Sequence, residues 1–395
     1  MKKIILSVIS LLLSASLASC GFAGKIINRL FPRGGEDTTF ETEIFDVTDS
    51  PDEFSPRIPD GGMPYFDTVT RYAWMTLDGQ RRALYYDVLE AALSYAPRVS
   101  LPDDDTAAYI WECVFFDTPE LFYVSETPSI KDGVLTFNYA FDREYAEKTS
   151  SELDAAYNEF ISTQDGDSTY ERIIGTYEYI INRTKYDFDA EADYEEDRYN
   201  ERLYRATSAA GPLLDGRSIC IGYARATQYL ALRQGIQTYT VKGYGNSGRH
   251  YYSLMLFDDG YYYVDTTWGD PVGSDRSIDY LTYYYFGMTT EELLRSHEIW
   301  SRVPLPLCTA TAYNYFVYNG FTADTAEQVA RAAFDNYEKG VDETLIRIND
   351  YEKLGSVYDA LPAALYDEAA ARGIECPPFG FIRSTASGVI GVVFR

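Results

Sequence analysis

The chain has 395 residues, 46% hydrophobic and 24% charged, a globular composition long enough for two or three domains with cores of their own. Its 34 Lys and Arg against 61 Asp and Glu leave a formal net charge of −27, which repels nucleic acid and anionic lipid and argues against both as partners. Basic proteins or amines remain compatible substrates, although acidity of this kind first of all aids solubility.

Met1-Lys2-Lys3 is a short basic region. Ile4 to Leu17 is apolar and small, about the length of a signal h-region and too short for a comfortable membrane span. It ends in Leu17-Ala18-Ser19-Cys20-Gly21, which resembles a bacterial lipobox. Residues 1–19 are therefore read as a lipoprotein signal peptide and Cys20 as the lipidated N-terminus. The alternative is an ordinary secretory signal that contains a cysteine. The lipobox reading places the protein outside the cytoplasm in the bacterial cell envelope, anchored to the membrane by lipid. Residues 20–61, with Gly34-Gly35-Glu36-Asp37 and Ser55-Pro56, form an acidic tether.

An N-terminal α+β domain is expected over 62–165. Leu84, Val88, Leu89, Ala92 and Leu93 keep helical spacing until Pro97. Asp103 to Phe116 reads as a second helix with an acidic first turn. After the turn Asp117-Thr118-Pro119-Glu120, Leu121 to Ser125 is a strand candidate that pairs with Val134 to Tyr139. A polar helix over 142–163 leads out.

The middle domain is expected over 166–300. Ile173, Ile174, Tyr177, Ile180 and Ile181 mark a helix, and an acidic loop from Asp189 to Glu201 follows. Gly216-Arg217-Ser218-Ile219 is poor helix sequence, whereas the run from Cys220 to Gly235 is good. Cys220 thus falls at a helix N-terminus, where free N–H groups and the dipole favour a thiolate. Taken alone, a lone cysteine is more often a buried structural residue. Gly222 permits close packing of this helix against another element.

Beyond it, Gly243, Gly245 and Gly248 make the approach to His250 irregular. Tyr251 to Phe257 alternates as a strand, Asp258-Asp259-Gly260 is a turn, and Tyr261 to Asp265 returns. A two-residue loop pairs Phe257 with Gly260 and sets His250 diagonal to Asp265 on one face. A three-residue loop would flip Asp265 to the other face. Nucleophile, base and orienter roles then fall to Cys220, His250 and Asp265.

At these residues the chain resembles a bacterial transglutaminase-like domain of the papain-like cysteine-enzyme superfamily. The matching pieces are Leu214-Asp215-Gly216-Arg217-Ser218-Ile219-Cys220-Ile221-Gly222-Tyr223-Ala224, Gly235-Ile236, Gly243 with His250, and Tyr263-Val264-Asp265-Thr266-Thr267-Trp268-Gly269-Asp270-Pro271. The resemblance covers about 166–300. It implies an α+β fold with a helix-borne cysteine packed on an antiparallel sheet, and Cys220, His250 and Asp265 as a catalytic triad. One departure is Tyr252 and Ser253, where the family often has Trp and Asn. The backbone N–H of Cys220 is the natural oxyanion donor.

His297 follows the charged stretch Glu291-Glu292-Leu293-Leu294 and reads as a packing or surface residue. The runs Tyr261-Tyr262-Tyr263 and Tyr283-Tyr284-Tyr285 could line a glycan or peptide groove, but alternate tyrosines in such strands more often fill a core. A C-terminal α+β domain over 305–395 reads strand, helix, strand, helix, strand, with Asp324 and Glu327 as a capping box, Gly340 as a helix stop, and strands at Leu345 to Ile348 and Val389 to Phe394. Of the five cysteines, Cys113, Cys308 and Cys376 leave a disulfide open. Two histidines make a structural zinc site unexpected, and neither metal nor other cofactor is expected.

The leading expectation is a surface-anchored thiol acyl-transfer enzyme, a cysteine protease or transglutaminase working on protein or peptide amides through a Cys220 thioester. Hydrolysis is slightly preferred to transfer. The alternative is a non-catalytic envelope binding or scaffold protein that retains a triad-like site.

Overall fold

The computed structural model describes residues 44–45, 70–245, 248–271 and 280–395. The expected signal peptide, Cys20 and nearly all of the expected tether lie outside the described residues. The architecture is mixed α+β, with several sheets and helices.

Helices α1 (Tyr72–Thr76), α2 (Gly79–Leu93) and α3 (Asp104–Asp117) open the described body. Asp78 and Asp103 cap α2 and α3 by accepting from the N–H groups of Arg81 and Thr106. A small sheet, ordered β1-β3-β2, combines β1 (Arg98–Ser100), β2 (Ser129–Lys131) and β3 (Val134–Thr136). Residues Leu121 to Ser125 are not the expected strand. They form turns with a single bridge, Val124 to Tyr139, because Tyr123 stacks with Tyr95 and Tyr139 instead of extending.

Next come α4 (Arg143–Ser162) and α5 (Thr169–Arg183), the latter opened by a Ser168–Glu171 capping box. The short parallel pair β4 (Lys185–Tyr186) and β5 (Arg217–Ser218) brackets α6 (Phe188–Glu195) and α7 (Glu201–Ala206). The acidic segment expected as a loop is thus largely helical. Asp187 caps α6, and Asp193 collects Arg198, Asn200 and Arg202 at the crossing to α7.

Helix α8 (Cys220–Arg233) is buried from Cys220 to Leu232 and packs on β7, β6 and α5. The main sheet runs β9-β8-β7-β6-β10, built from β6 (Thr238–Gly245), β7 (Gly248–Phe257), β8 (Gly260–Val264), β9 (Phe286–Met288) and β10 (Glu298–Ile299). Its described pairings are antiparallel. The one-turn helix α9 (Thr290–Leu293) lies between β9 and β10. Gly243 and Gly245 do not disrupt the approach to His250. They sit in the β6–β7 ladder, with Gly243 opposite His250.

Most buried apolar side chains between Tyr72 and Cys308 pack as one cluster, and a separate cluster gathers Tyr170, Tyr177, Phe257, Tyr262 and Phe286 among others. Residues 322–394 have a core of their own, between α10 (Ala326–Tyr337), α11 (Leu354–Arg372) and the sheet β11-β12-β14-β13. Those strands are β11 (Thr322–Ala323), β12 (Glu343–Ile348), β13 (Phe379–Ser384) and β14 (Val389–Phe394). Thr325, not an Asp324–Glu327 box, caps α10 by accepting from Gln328 N–H. Cys113, Cys220, Cys308 and Cys376 are free thiols. Among the described residues no helix is long and apolar enough to cross a membrane.

Two contacts fix α8. At Gly222 an added Cβ would stand 2.1 Å from Ser218 Oγ and 2.3 Å from the Ala206 carbonyl oxygen. From the helix body, Arg225 donates to the carbonyls of Phe115 and Thr118, and Gln228 donates to that of Phe116, at the C-terminal end of α3. The same end of α3 holds α1 in turn: Asp117 accepts from the N–H groups of Ala73 and Trp74.

Gly222→Ala is expected to destabilise the protein by roughly 1–3 kcal/mol, since a methyl there forces the helix off its seat; the urea midpoint measures it. Burial pushes the Asp117 carboxyl up to about 7, although its two N–H partners and Arg71 pull it down. An exposed aspartate titrates near about 3.9, so the folded chain keeps this proton longer and the Asp117 contribution to stability falls as pH rises from about 4 towards 7. A urea-midpoint curve against pH should show that decline in the wild type and flatten in Asp117→Asn.

Candidate functional site

The two-residue turn at Asp258-Asp259 sets the register that the alternation predicts. Phe257 faces Gly260 and Ser253 faces Val264. Asp265 follows β8 directly, and His250 lies near the start of β7 on the same face. His250 Nε2 is 2.7 Å from Asp265 Oδ2.

A second ring reaches the same atom. His297 Nε2 is 3.1 Å from Asp265 Oδ2. It comes from the segment after α9, just before β10. Asp265 Oδ1 accepts from the N–H groups of Thr267 and Trp268, at 2.9 and 3.1 Å. The carboxylate is thus held by backbone at one oxygen and shared by two imidazoles at the other. Ser296 Oγ lies 2.9 Å from His297 Nδ1, so that ring is held at both nitrogens.

The surroundings are aromatic. The Trp268 ring lies 5.1 Å from that of His250 and 4.2 Å from that of His297. Tyr252 and Tyr285 flank His297. Gly245 allows this packing, because a Cβ there would come within 2.6 Å of the indole. His250, Asp265 and His297 are all buried.

Burial and charge split the two rings. Burial works against protonation of His250, but the Asp265 carboxylate outweighs it, with further help from the neighbouring Cys220 thiol, and the ring is raised to about 10. Burial also dominates at His297, where Asp265 does not compensate, and its pKa falls below the ordinary value. Burial would raise Asp265, yet His250 and then His297 hold it well below the usual carboxylate range. At neutral pH the cluster is an imidazolium, a carboxylate and a neutral imidazole. The neutral His297 ring donates from Nε2 and accepts from the Ser296 hydroxyl at Nδ1.

Cys220 is the first residue of α8, as the sequence predicts, and is buried. Its thiol neighbours the His250 ring and favours that ring's protonation, but it is not a member of the closed group. His250, Asp265 and His297 are the residues whose ligand atoms lie within 4.8 Å of one another, and that group contains no cysteine. The expected Cys220–His250–Asp265 catalytic triad is corrected accordingly, and with it the expectation of a thiol acyltransferase, cysteine protease or other hydrolase. The physical reason is the second imidazole: the carboxylate that should orient one ring serves two. Two imidazoles and a carboxylate are instead a donor set that could hold a metal ion.

His297 is the residue the sequence misjudges. Its neighbours are charged and helical in pattern, and its partner is 32 positions away. The available signal was scarcity, because the whole chain has two histidines and both reach Asp265. Neighbouring tyrosines on β8 enter different apolar clusters, so both are covered. Tyr262 and Tyr263 are fully buried, and Tyr283 stacks on Tyr315 with ring centroids 3.6 Å apart.

No protein-family model matches the chain, and no curated protein matches it. A solved structure described as the crystal structure of a TGase is distantly similar, at 12% identity and a TM-score of 0.26. The match covers 56% of this chain and 53% of that one, so the chain spans about half that protein's length. A likeness of that size carries no argument about the fold, family or activity of this chain.

With two histidines, proton NMR can follow each ring alone. One C–H signal should titrate at about 10 and belong to His250, and the other should titrate below the ordinary histidine range. Asp265→Asn should bring the His250 value down sharply. It should also cost about 3–5 kcal/mol of stability, because it leaves a buried cation without its counter-charge.

Proposed function

We propose that the chain is a non-catalytic binding or scaffold protein of the cell envelope, with a transglutaminase-like core that retains a triad-like site without turnover. One observation carries this reading: the carboxylate oxygen that a triad would devote to one base is divided between His250 and His297. An orienting carboxylate in a working triad fixes a single imidazole whose proton traffic it supports. Here it ties three chain segments together beneath Trp268. The sealing of the cluster agrees, since Cys220 and His250 are each only 6% exposed.

The proposed core is the Cys220 helix on the antiparallel sheet, flanked by smaller units over 62–165 and 305–395. The lipobox-like Leu17 to Gly21 supports the envelope location. A cleft of about 510 Å³ offers a ligand seat, lined by Asp187, Asp189, Arg202, Arg205, Asp215 and Arg217 among others. That volume suits a small ligand or a polymer segment, and its charges are paired with one another, Arg202 with Asp189, Arg205 with Asp215 and Arg217 with Asp187.

The test is co-sedimentation of the full chain with purified envelope polymer, beside incubation with peptide and protein amides. Wild type and Cys220→Ala should bind alike and return the polymer unaltered. Cys220 should form no covalent acyl intermediate with peptide or protein amides. Such an intermediate on Cys220 would overturn the proposal. So would cleavage or crosslinking by the wild type that Cys220→Ala lacks.

A further inference from the structure

We infer that His250, Asp265 and His297 form a binding site for one divalent transition ion of the Zn2+ class. The inference rests on the non-catalytic reading above, because it makes His250 a ligand and not a base; the imidazolium gives up its Nε2 proton to water as the ion takes its place.

Convergence is the first argument. The chain has two histidines in 395 residues, and both aim Nε2 at one carboxylate oxygen. They arrive from β7 and from the segment after α9, while Asp265 ends the hairpin. All three donor atoms lie within 4.8 Å of one another. Two imidazole nitrogens and one carboxylate oxygen suit zinc and its borderline neighbours better than calcium or magnesium, which want oxygen throughout.

The outer contacts are the second argument. A metal-binding residue is normally oriented through its non-ligating atom. Asp265 Oδ1 is fixed by two backbone N–H groups, which leaves Oδ2 to face inward. His297 Nδ1 is met by Ser296 Oγ. That hydroxyl can accept from Nδ1–H as readily as it donates, so it accommodates the tautomer in which Nε2 is free to ligate.

Distance is the third. The rings stand 2.7 and 3.1 Å from Oδ2, as hydrogen-bonded partners. Tetrahedral zinc with bonds of about 2.0–2.1 Å separates its ligand atoms by roughly 3.3 Å. Widening the two nitrogen–oxygen separations by a few tenths of an ångström to about half an ångström meets that spacing, and the two ring nitrogens already lie within 4.8 Å of each other. Because the donors come from separate segments, the ion would act as a staple that closes β7, the hairpin end and the α9–β10 connection on one another.

The experiment uses the full, untagged, chelator-treated chain. Zn2+ is titrated by calorimetry, Co2+ is followed by its visible absorption, and Tm is recorded with and without Zn2+. The expected result is one equivalent bound, with Tm rising as the ion binds the folded state alone. His297→Gln should weaken binding at least 10-fold and lose the Tm shift, whereas Cys220→Ser should bind as the wild type does. Should His297→Gln fail to fold, Ser296→Ala takes its place, with an expected loss of about 10-fold. No saturable binding by the wild type would overturn the inference, as would equal binding by the histidine or serine variant, or loss of binding in Cys220→Ser. None of these outcomes depends on whether Cys220 forms an acyl intermediate, so failure of the ion site and failure of the binding-protein reading are distinguishable.

Discussion

The guanidinium of Arg225 is the joint on which the body of the protein is assembled. It is almost wholly buried on α8, where it meets the Phe115 and Thr118 carbonyls and lies 4.2 Å from the centre of the Phe115 ring. Burial lowers its pKa to about 10, which leaves it charged at neutral pH. A cation so far from water is tolerable because the last turn of α3 presents unpaired carbonyls and the negative end of a helix dipole. Gln228 extends the same contact, donating to the carbonyls of Phe116 and Thr238 while it accepts from Thr240. One helix therefore caps another and binds the first strand of the main sheet in a single polar seam. One apolar cluster spans the seam, with members on α3, α8 and β6.

Asp265 plays the corresponding part at the other end of that sheet. Its carboxylate is saturated by two backbone donors and two rings, so it has no spare acceptor to lend. A buried carboxylate satisfied in this way rigidifies whatever it touches. The protein gains a well-defined cluster and gives up the freedom of a lone imidazole to shuttle a proton. Trp268, seated on Gly245, adds an indole lid whose position is set by a glycine on a neighbouring strand.

Local chemistry made much of this legible from sequence. Asp103 before an acidic turn signalled the start of α3, and Gly222 signalled a close approach that the Ser218 and Ala206 contacts explain. The hairpin was legible because a two-residue loop admits one register, and that register alone puts His250 and Asp265 together. What escaped was decided by partners distant in sequence. Leu121 to Ser125 has strand-forming residues, but Tyr123 stacks with Tyr95 and Tyr139. The acidic run after Asp187 has the composition of a loop, yet Asp193 gathers enough cations to hold two short helices. His297 escaped for the same reason, since no local pattern marks a side chain whose contacts are made across the sheet. The triad expectation failed at that point: nucleophile, base and orienter can be placed from three local contexts, but a fourth residue competing for the carboxylate cannot.

The hairpin turn at Asp258-Asp259 also constrains how the gene can change. Side chains on β8 alternate, so insertion or deletion of a single codon there would exchange the residues presented by its two surfaces. Tyr262, now packed against Phe257, would trade places with its neighbours, and Asp265 would leave the histidines. Surface loops ordinarily absorb length variation at little cost. This one behaves as a ruler, so drift at the tip should be confined to substitutions that keep the count of residues intact.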